Sequence, residues 1–194
     1  MKKNTIIIVI AALALILLWG VSRYNKLVSA EEAVSSQWGN VENQYQRRAD
    51  LIPNLVATVK GYAAHESQTL EAVTAARAKA TQVTVDPTSL TSEKLQEFQA
   101  AQGELSSALG RLLMITENYP DLKANQNFIE LQAQLEGTEN RIAVERNRFN
   151  EMARNYNATI RRFPTSLIAA IFGFEKKPYF EAQDGTEKAP EVKF

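Results

Sequence analysis

The chain has 194 residues, 22 Lys+Arg against 22 Asp+Glu, no Cys and a single His. Balanced charge weighs against a nucleic-acid partner, which usually selects a basic excess. The missing Cys excludes disulfides, thiolate metal sites and thiol catalysis, and one His excludes a multi-His metal centre. Few Gly and Pro (8 and 6) beside abundant Ala, Leu, Glu and Gln favour helix over sheet.

After a short tail at residues 1–4, residues 5–22 read as a transmembrane anchor. Ile6 to Val21 contains no charged residue; Lys2 and Lys3 precede it, and Arg23 and Lys26 follow. As a helix the segment is roughly 27 Å long, close to a ~30 Å hydrocarbon core. Ile6, Ile10, Leu13 and Leu17 would face lipid, and Trp19 with Tyr24 would sit at the interface. The competing reading is a cleaved signal with its small-residue site at Val28-Ser29-Ala30. That site lies far beyond Leu18, and Arg23 and Lys26 intervene. The amino terminus, Lys2 and Lys3 against Arg23 and Lys26 favour the rest of the chain outside the cytoplasm of a bacterial inner membrane, with the cytoplasmic side as the alternative.

Residues 23–163 predict four helices, at about 22–63, 66–81, 93–118 and 122–162. The first carries a heptad seam through Tyr24, Leu27, Glu31, Val34, Trp38, Val41, Tyr45, Arg48, Ile52, Leu55, Val59 and Tyr62. Steps of three and four alternate, the period of bundle packing. Pro53 removes one intrahelical bond and clashes with the carbonyl of Ala49, so a kink is expected there. Asp86-Pro87 marks a turn before the third helix, whose seam runs from Leu95 to Tyr119. Tyr119-Pro120-Asp121 separates it from the last, with Asp121 as N-cap or first-turn acid and a seam from Phe128 through Glu145, Phe149, Met152, Tyr156 and Thr159 to Phe163. Short connections imply antiparallel neighbours. The expected fold is all-α: a transmembrane helix leading into an elongated up-down-up-down four-helix bundle.

Residues 164–181 form an apolar C-terminal segment, too short to span a bilayer. Leu167, Ile168, Ile171, Phe172 and Phe174 would either cap the bundle's membrane-proximal end or contact membrane or a neighbouring subunit, the second being favoured. Residues 182–194 read as a flexible polar tail.

Charged residues on apolar seams need partners. With antiparallel helices rising ~1.5 Å per residue, Arg48, Arg77 and Glu145 fall at about 39, 43 and 39 Å along the axis. They are expected to form a buried charge layer that fixes register, the alternative being side chains that snorkel to water. By the same count Glu31 falls near Arg161 and Arg162. His65 reads as a cap or surface residue, and Trp38, Tyr45, Phe149 and Tyr156 as core.

Several segments together resemble the LemA family: YNKLV (24–28), Trp38, RRADLIPNLVATVKGYAAHE (47–66), Ala76-Arg77, RFNEMARNYN (148–157), Phe163-Pro164, FGF (172–174) and YFE (179–181). The resemblance spans the chain from the anchor to about Glu181. It implies a bacterial single-pass membrane protein with an all-helical domain and implies no reaction. It also implies an N-terminus outside the cytoplasm, opposite to the charge count.

No Gly-rich phosphate loop, nucleophile elbow or Glu-x-x-His pair is present, so neither catalysis nor a cofactor is expected. The expected role is a non-enzymatic, self-associating scaffold or interaction module. Its partners would be membrane lipid, further copies of the chain and an unidentified protein, but no nucleic acid. A sensory or ligand-binding domain working with a separate signalling partner is the alternative.

Overall fold

A computed structural model describes residues 2–181, and the tail expected at 182–194 lies outside the described residues. The elements are α1 (Lys2–Tyr62), α2 (Ser67–Gln82), α3 (Ser92–Thr116), α4 (Pro120–Lys123), α5 (Gln126–Arg161) and α6 (Thr165–Phe172), with a 3-10 turn at Pro87–Ser89 before α3. No strand occurs among the described residues.

α1 is one helix of 61 residues, roughly 90 Å long. It is the only described helix long and apolar enough to cross a membrane, and no residue of its apolar window is fully buried. The heptad begins where that window ends: Leu27, Val34, Trp38, Val41, Tyr45, Arg48, Ile52, Leu55 and Val59 are all buried. The helix continues through Pro53, which is exposed, to Tyr62.

α1 packs along α5 and against α2, and α2 packs on α3. α1 and α5 run antiparallel in a constant register. Asn125 Nδ2 donates to the Tyr62 hydroxyl at 2.9 Å, Arg48 meets Glu139 at 2.6 Å, and Tyr156 lies against Glu31. The ends of the elements follow local chemistry. Thr91 caps α3 by accepting from the Lys94 amide at 3.3 Å. Asp86 accepts from the Thr88 amide at 2.8 Å and the Thr88 hydroxyl at 2.7 Å, which also hold its carboxyl below the usual range.

The segment expected to be one last helix from residue 122 is two. The short α4 ends at Lys123, and Asn125 caps α5 by accepting from the Phe128 amide at 3.0 Å. Asp121 is therefore a first-turn acid of α4 and does not cap the long helix. The seam of α5 also departs from expectation at its lower end, the end nearest the apolar window. Met152 and Phe163 are exposed and Thr159 only half-buried, whereas Ala153, Tyr156, Asn157 and Ile160 are buried. The cause is a second layer on that flank: α6 and residues 174–181 cover the side of α5 that carries Asn150 and Asn157.

The core is in two parts. The upper cluster is largely aliphatic and joins Ile52, Leu55 and Val59 to Leu70, Val73, Leu105, Leu112, Leu122 and Leu135. The lower cluster is rich in aromatics, with Trp38, Tyr45, Phe98, Phe149, Tyr156 and Phe180. Arg48 lies between them.

Candidate functional site

Two buried polar centres and one exposed apolar patch stand out. The upper centre is built on Arg48, which is 1% exposed. Its Nη1 donates to Glu139 Oε1 at 2.6 Å and Ser106 Oγ at 2.8 Å. Its Nη2 donates to the Gln102 side chain and, at 3.3 Å, to the Gln102 carbonyl. The guanidinium also lies 5.2 Å from the Tyr45 ring centroid. Gln102 Nε2 in turn donates to the Ala80 carbonyl at 3.2 Å, so one arginine on α1 ties α2, α3 and α5 together. Burial pushes the Tyr45 hydroxyl up, with Arg146 and Arg48 partly offsetting it.

Arg77 reaches the same level from α2 but binds backbone. Its Nε donates to the Ala49 carbonyl at 2.7 Å. Pro53 has no amide hydrogen, so this is the carbonyl that its position in α1 leaves without a partner. Proline and arginine act as a pair: one creates an orphan acceptor and the other fills it.

The expected layer of Arg48, Arg77 and Glu145 therefore needs correction. Arg48 and Arg77 share a level, but Glu145 is not with them, and Glu139 takes its place. Glu145 accepts from Gln37 Nε2 at 2.7 Å and from Arg148 at 2.8 Å. Glu145 stands at another level because the last long helix does not start above α3. The break at residues 124–125 returns the chain level with the top of α1, where Asn125 bonds Tyr62.

The lower centre surrounds the other charged position on the α1 seam, Glu31. Its partner is Lys177, at 2.8 Å, instead of the expected Arg161 or Arg162. Lys177 is 5% exposed and also donates to the Thr88 carbonyl at 3.3 Å. Tyr156 completes the group; burial, with the Glu31 and Glu175 carboxylates, holds its hydroxyl well above the usual phenol range.

Lys177 belongs to an extended strap at residues 174–181, which two asparagines hold by its backbone. Asn157 donates to the Lys177 carbonyl at 2.8 Å and accepts from the Lys177 amide at 2.9 Å. Asn150 does the same for Phe180, at 2.9 and 2.8 Å. The asparagines are one heptad apart, about 10.5 Å along the helix. Three extended residues span about 10 Å, so the two clasps match. The strap delivers Phe180 to the lower core, where its ring stacks on Trp38 at 5.8 Å and 7° and Arg146 covers it at 4.8 Å. Sequence reasoning missed Asn150, Asn157, Lys177 and Phe180. The heptad spacing of the asparagines, just off the seam, was the available signal.

The apolar C-terminal segment divides. Ile168 and Ala169 are buried, and Phe174 packs edge-on against Tyr24 at 5.8 Å. Leu167, Ile171 and Phe172 are 57%, 76% and 59% exposed, beside Phe163 at 80%. Gly173, at φ 75°, ends α6 in the left-handed conformation, and the Phe174 amide closes the turn on the Ala169 carbonyl at 3.0 Å. Of the residues expected in the anchor, Ile6, Ile10, Leu13 and Leu17 are exposed, while Trp19 is half-buried against the lower core under Arg23.

Open grooves among the described residues include those of about 470 Å³ between α3 and α5, 450 Å³ between α1 and α2, and 400 Å³ beside the strap. Among the described residues no three His, Asp or Glu side chains converge as metal ligands would.

A family model described as the LemA family matches residues 37–194. Magnetosome protein MamQ of Magnetospirillum gryphiswaldense is 29% identical over 81% of this chain and 64% of its own length. The chain thus spans a little under two thirds of that relative. Magnetosome protein MamQ 2 of Paramagnetospirillum magneticum is 27% identical over 91% of this chain and 70% of its own. Protein LemA of Metamycoplasma hominis is 25% identical over 84% and 71%.

Proposed function

The chain belongs to the LemA family, and from that premise we propose that it is a non-enzymatic, membrane-anchored four-helix bundle that self-associates at the membrane as a scaffold. The observation that carries this is α1. One continuous helix supplies both the exposed apolar window and the central seam of the folded body. A rod so built holds the body at a fixed distance and angle from a bilayer, which suits a scaffold. The buried polar groups support the same reading. Arg48, Arg77, Glu31 and Lys177 are all engaged with other parts of the chain, where they fix helix order and register. Relatives named for a subcellular body, the magnetosome, also favour a structural role.

Reconstitution of the full chain in lipid nanodiscs, followed by mass measurement and electron microscopy, tests self-association. A discrete symmetric oligomer is expected; a monomer at every protein-to-lipid ratio would sink the idea. The charge asymmetry across the apolar window favours a bundle outside the cytoplasm. Proteolysis limited to inverted vesicles would reverse that assignment.

A second reading, a ligand-binding domain working with a separate signalling partner, draws on the groove of about 470 Å³ between α3 and α5, which Leu109, Leu113, Leu135 and Glu139 line. A defined small molecule bound there would replace the scaffold reading.

A further inference from the structure

We propose that α6 is an interfacial helix that lies in the surface of the bilayer crossed by α1 and presses Phe163, Leu167, Ile171 and Phe172 into it. The proposal rests on the membrane-anchor reading and adds a second contact, with stated residues.

Three observations carry it. The first is position. Carried two residues past the end of α5, the register of α1 against α5 brings Phe163 to about the level of Tyr24, and the Phe172 ring at the other end of α6 lies 4.8 Å from the Tyr24 ring. Both ends of the patch thus come near the level of Tyr24, as they would if α6 lay across the axis of α1. A helix across the axis of a spanning helix is parallel to the membrane plane. Tyr24 is three residues, about 4.5 Å, beyond the last residue of the apolar window. That is the headgroup layer, into which interfacial helices sink by about 5–10 Å.

The second is composition. The buried face of α6 carries Ile168 and Ala169, yet the opposite face is apolar as well. A helix that is apolar all round requires cover on both sides. The body of the protein covers one; the neighbouring bilayer is the apolar phase available to the other.

The third is charge. The exposed residues that flank the patch in sequence are Arg161, Arg162 and Lys176, against one acid, Glu175. Arg161 and Lys176 line the groove beside the strap. A basic rim around an apolar patch suits anionic headgroups.

The chain has no cysteine, so single labels are unambiguous. Leu167→Cys, Leu13→Cys and Met114→Cys variants of the full chain, each carrying an environment-sensitive fluorophore, would be reconstituted in phosphatidylethanolamine–phosphatidylglycerol bilayers. Spin-labelled lipids then act as quenchers. The Leu167 label is expected to emit to the blue and to be quenched several-fold by lipids labelled near the headgroup. The Leu13 label responds to lipids labelled deep in the acyl chain, and the Met114 label to neither. A Leu167 label that stays water-like while Leu13 is quenched overturns the proposal and leaves the anchor standing. A Leu167 label that is shielded from water but unquenched by lipid also overturns it, because a second copy then covers the patch. If Leu13 is not quenched, the anchor reading fails and the proposal falls with it.

Discussion

The two charged positions on the seam of α1 are neutralised in different ways. Arg48 finds all its partners on the long helices, namely Gln102 and Ser106 on α3 and Glu139 on α5. Glu31 finds its partner on the strap, where Lys177 is itself positioned by Asn157. The upper centre is thus part of how the helices pack on one another. The lower centre is a joint between the helices and a segment added after them. Loss of the first should loosen the whole helical body. Loss of the second should release the strap and leave the helices in place.

The largest effect should come from Arg48→Ala. It leaves the Gln102 side-chain carbonyl in the interior without a donor and removes the partner of Glu139. Breaking a buried pair costs about 3–5 kcal/mol, and because Glu139 is only half-buried we expect about 3 kcal/mol in chemical denaturation. A cost below about 1 kcal/mol would mean that the upper centre does not hold the helices together. Asn157→Ala should cost about 2 kcal/mol, because it leaves the amide and carbonyl of Lys177 without partners in a buried setting. Its signature should be local: faster hydrogen exchange at Lys177 and Phe180, and a changed Trp38 emission as the stacked ring departs, with helical content unaltered. Equal acceleration of exchange in α2 and α3 would erase the distinction between the two centres.

Arg77→Met should come next, at about 1.5 kcal/mol, the scale of a hydrogen bond from a charged donor. Pairing it with Pro53→Ala sharpens the comparison, since alanine restores an amide that can bond the Ala49 carbonyl. The cost of Arg77→Met should then shrink in the Pro53→Ala background. Additive costs would show that the arginine is not there for the proline.

The seam of α1 was legible in the sequence because burial along this helix follows its heptad period, and every apolar seam position from Leu27 to Val59 is buried. That Arg48 and Arg77 stand at one level also followed from rise per residue. Glu145 did not, because the height at which a helix starts depends on its preceding loop, and the turn around Asn125 had no periodic signature. The strap was illegible for a related reason. Its residues pair backbone with side chain, so neither a 2- nor a 3.6-residue period marks it. Met152, Thr159 and Phe163 were misassigned to the core in consequence, since what covers α5 at its lower end is this non-periodic segment.

The smallest expected effect concerns pH and bears on the lower centre alone. An unfolded tyrosine releases its proton near pH ~10. In the folded protein, burial and the nearby Glu31 and Glu175 carboxylates hold the Tyr156 hydroxyl well above that. Between the two values the unfolded chain has lost a proton that the folded chain keeps. The unfolded state then binds fewer protons, so stability falls as pH rises. Below about pH 10 this contribution is fully present; above it, it is progressively lost up to the folded value. Tyr156→Phe removes the titrating group and should flatten the decline in melting temperature between about pH 9.5 and pH 11. Tyr45→Phe should flatten it less, because Arg146 and Arg48 pull that hydroxyl back toward its ordinary value. Identical slopes in the wild type and Tyr156→Phe would show that the hydroxyl is solvated in the folded state, and that the strap does not seal the lower centre as the Glu31–Lys177 pair requires.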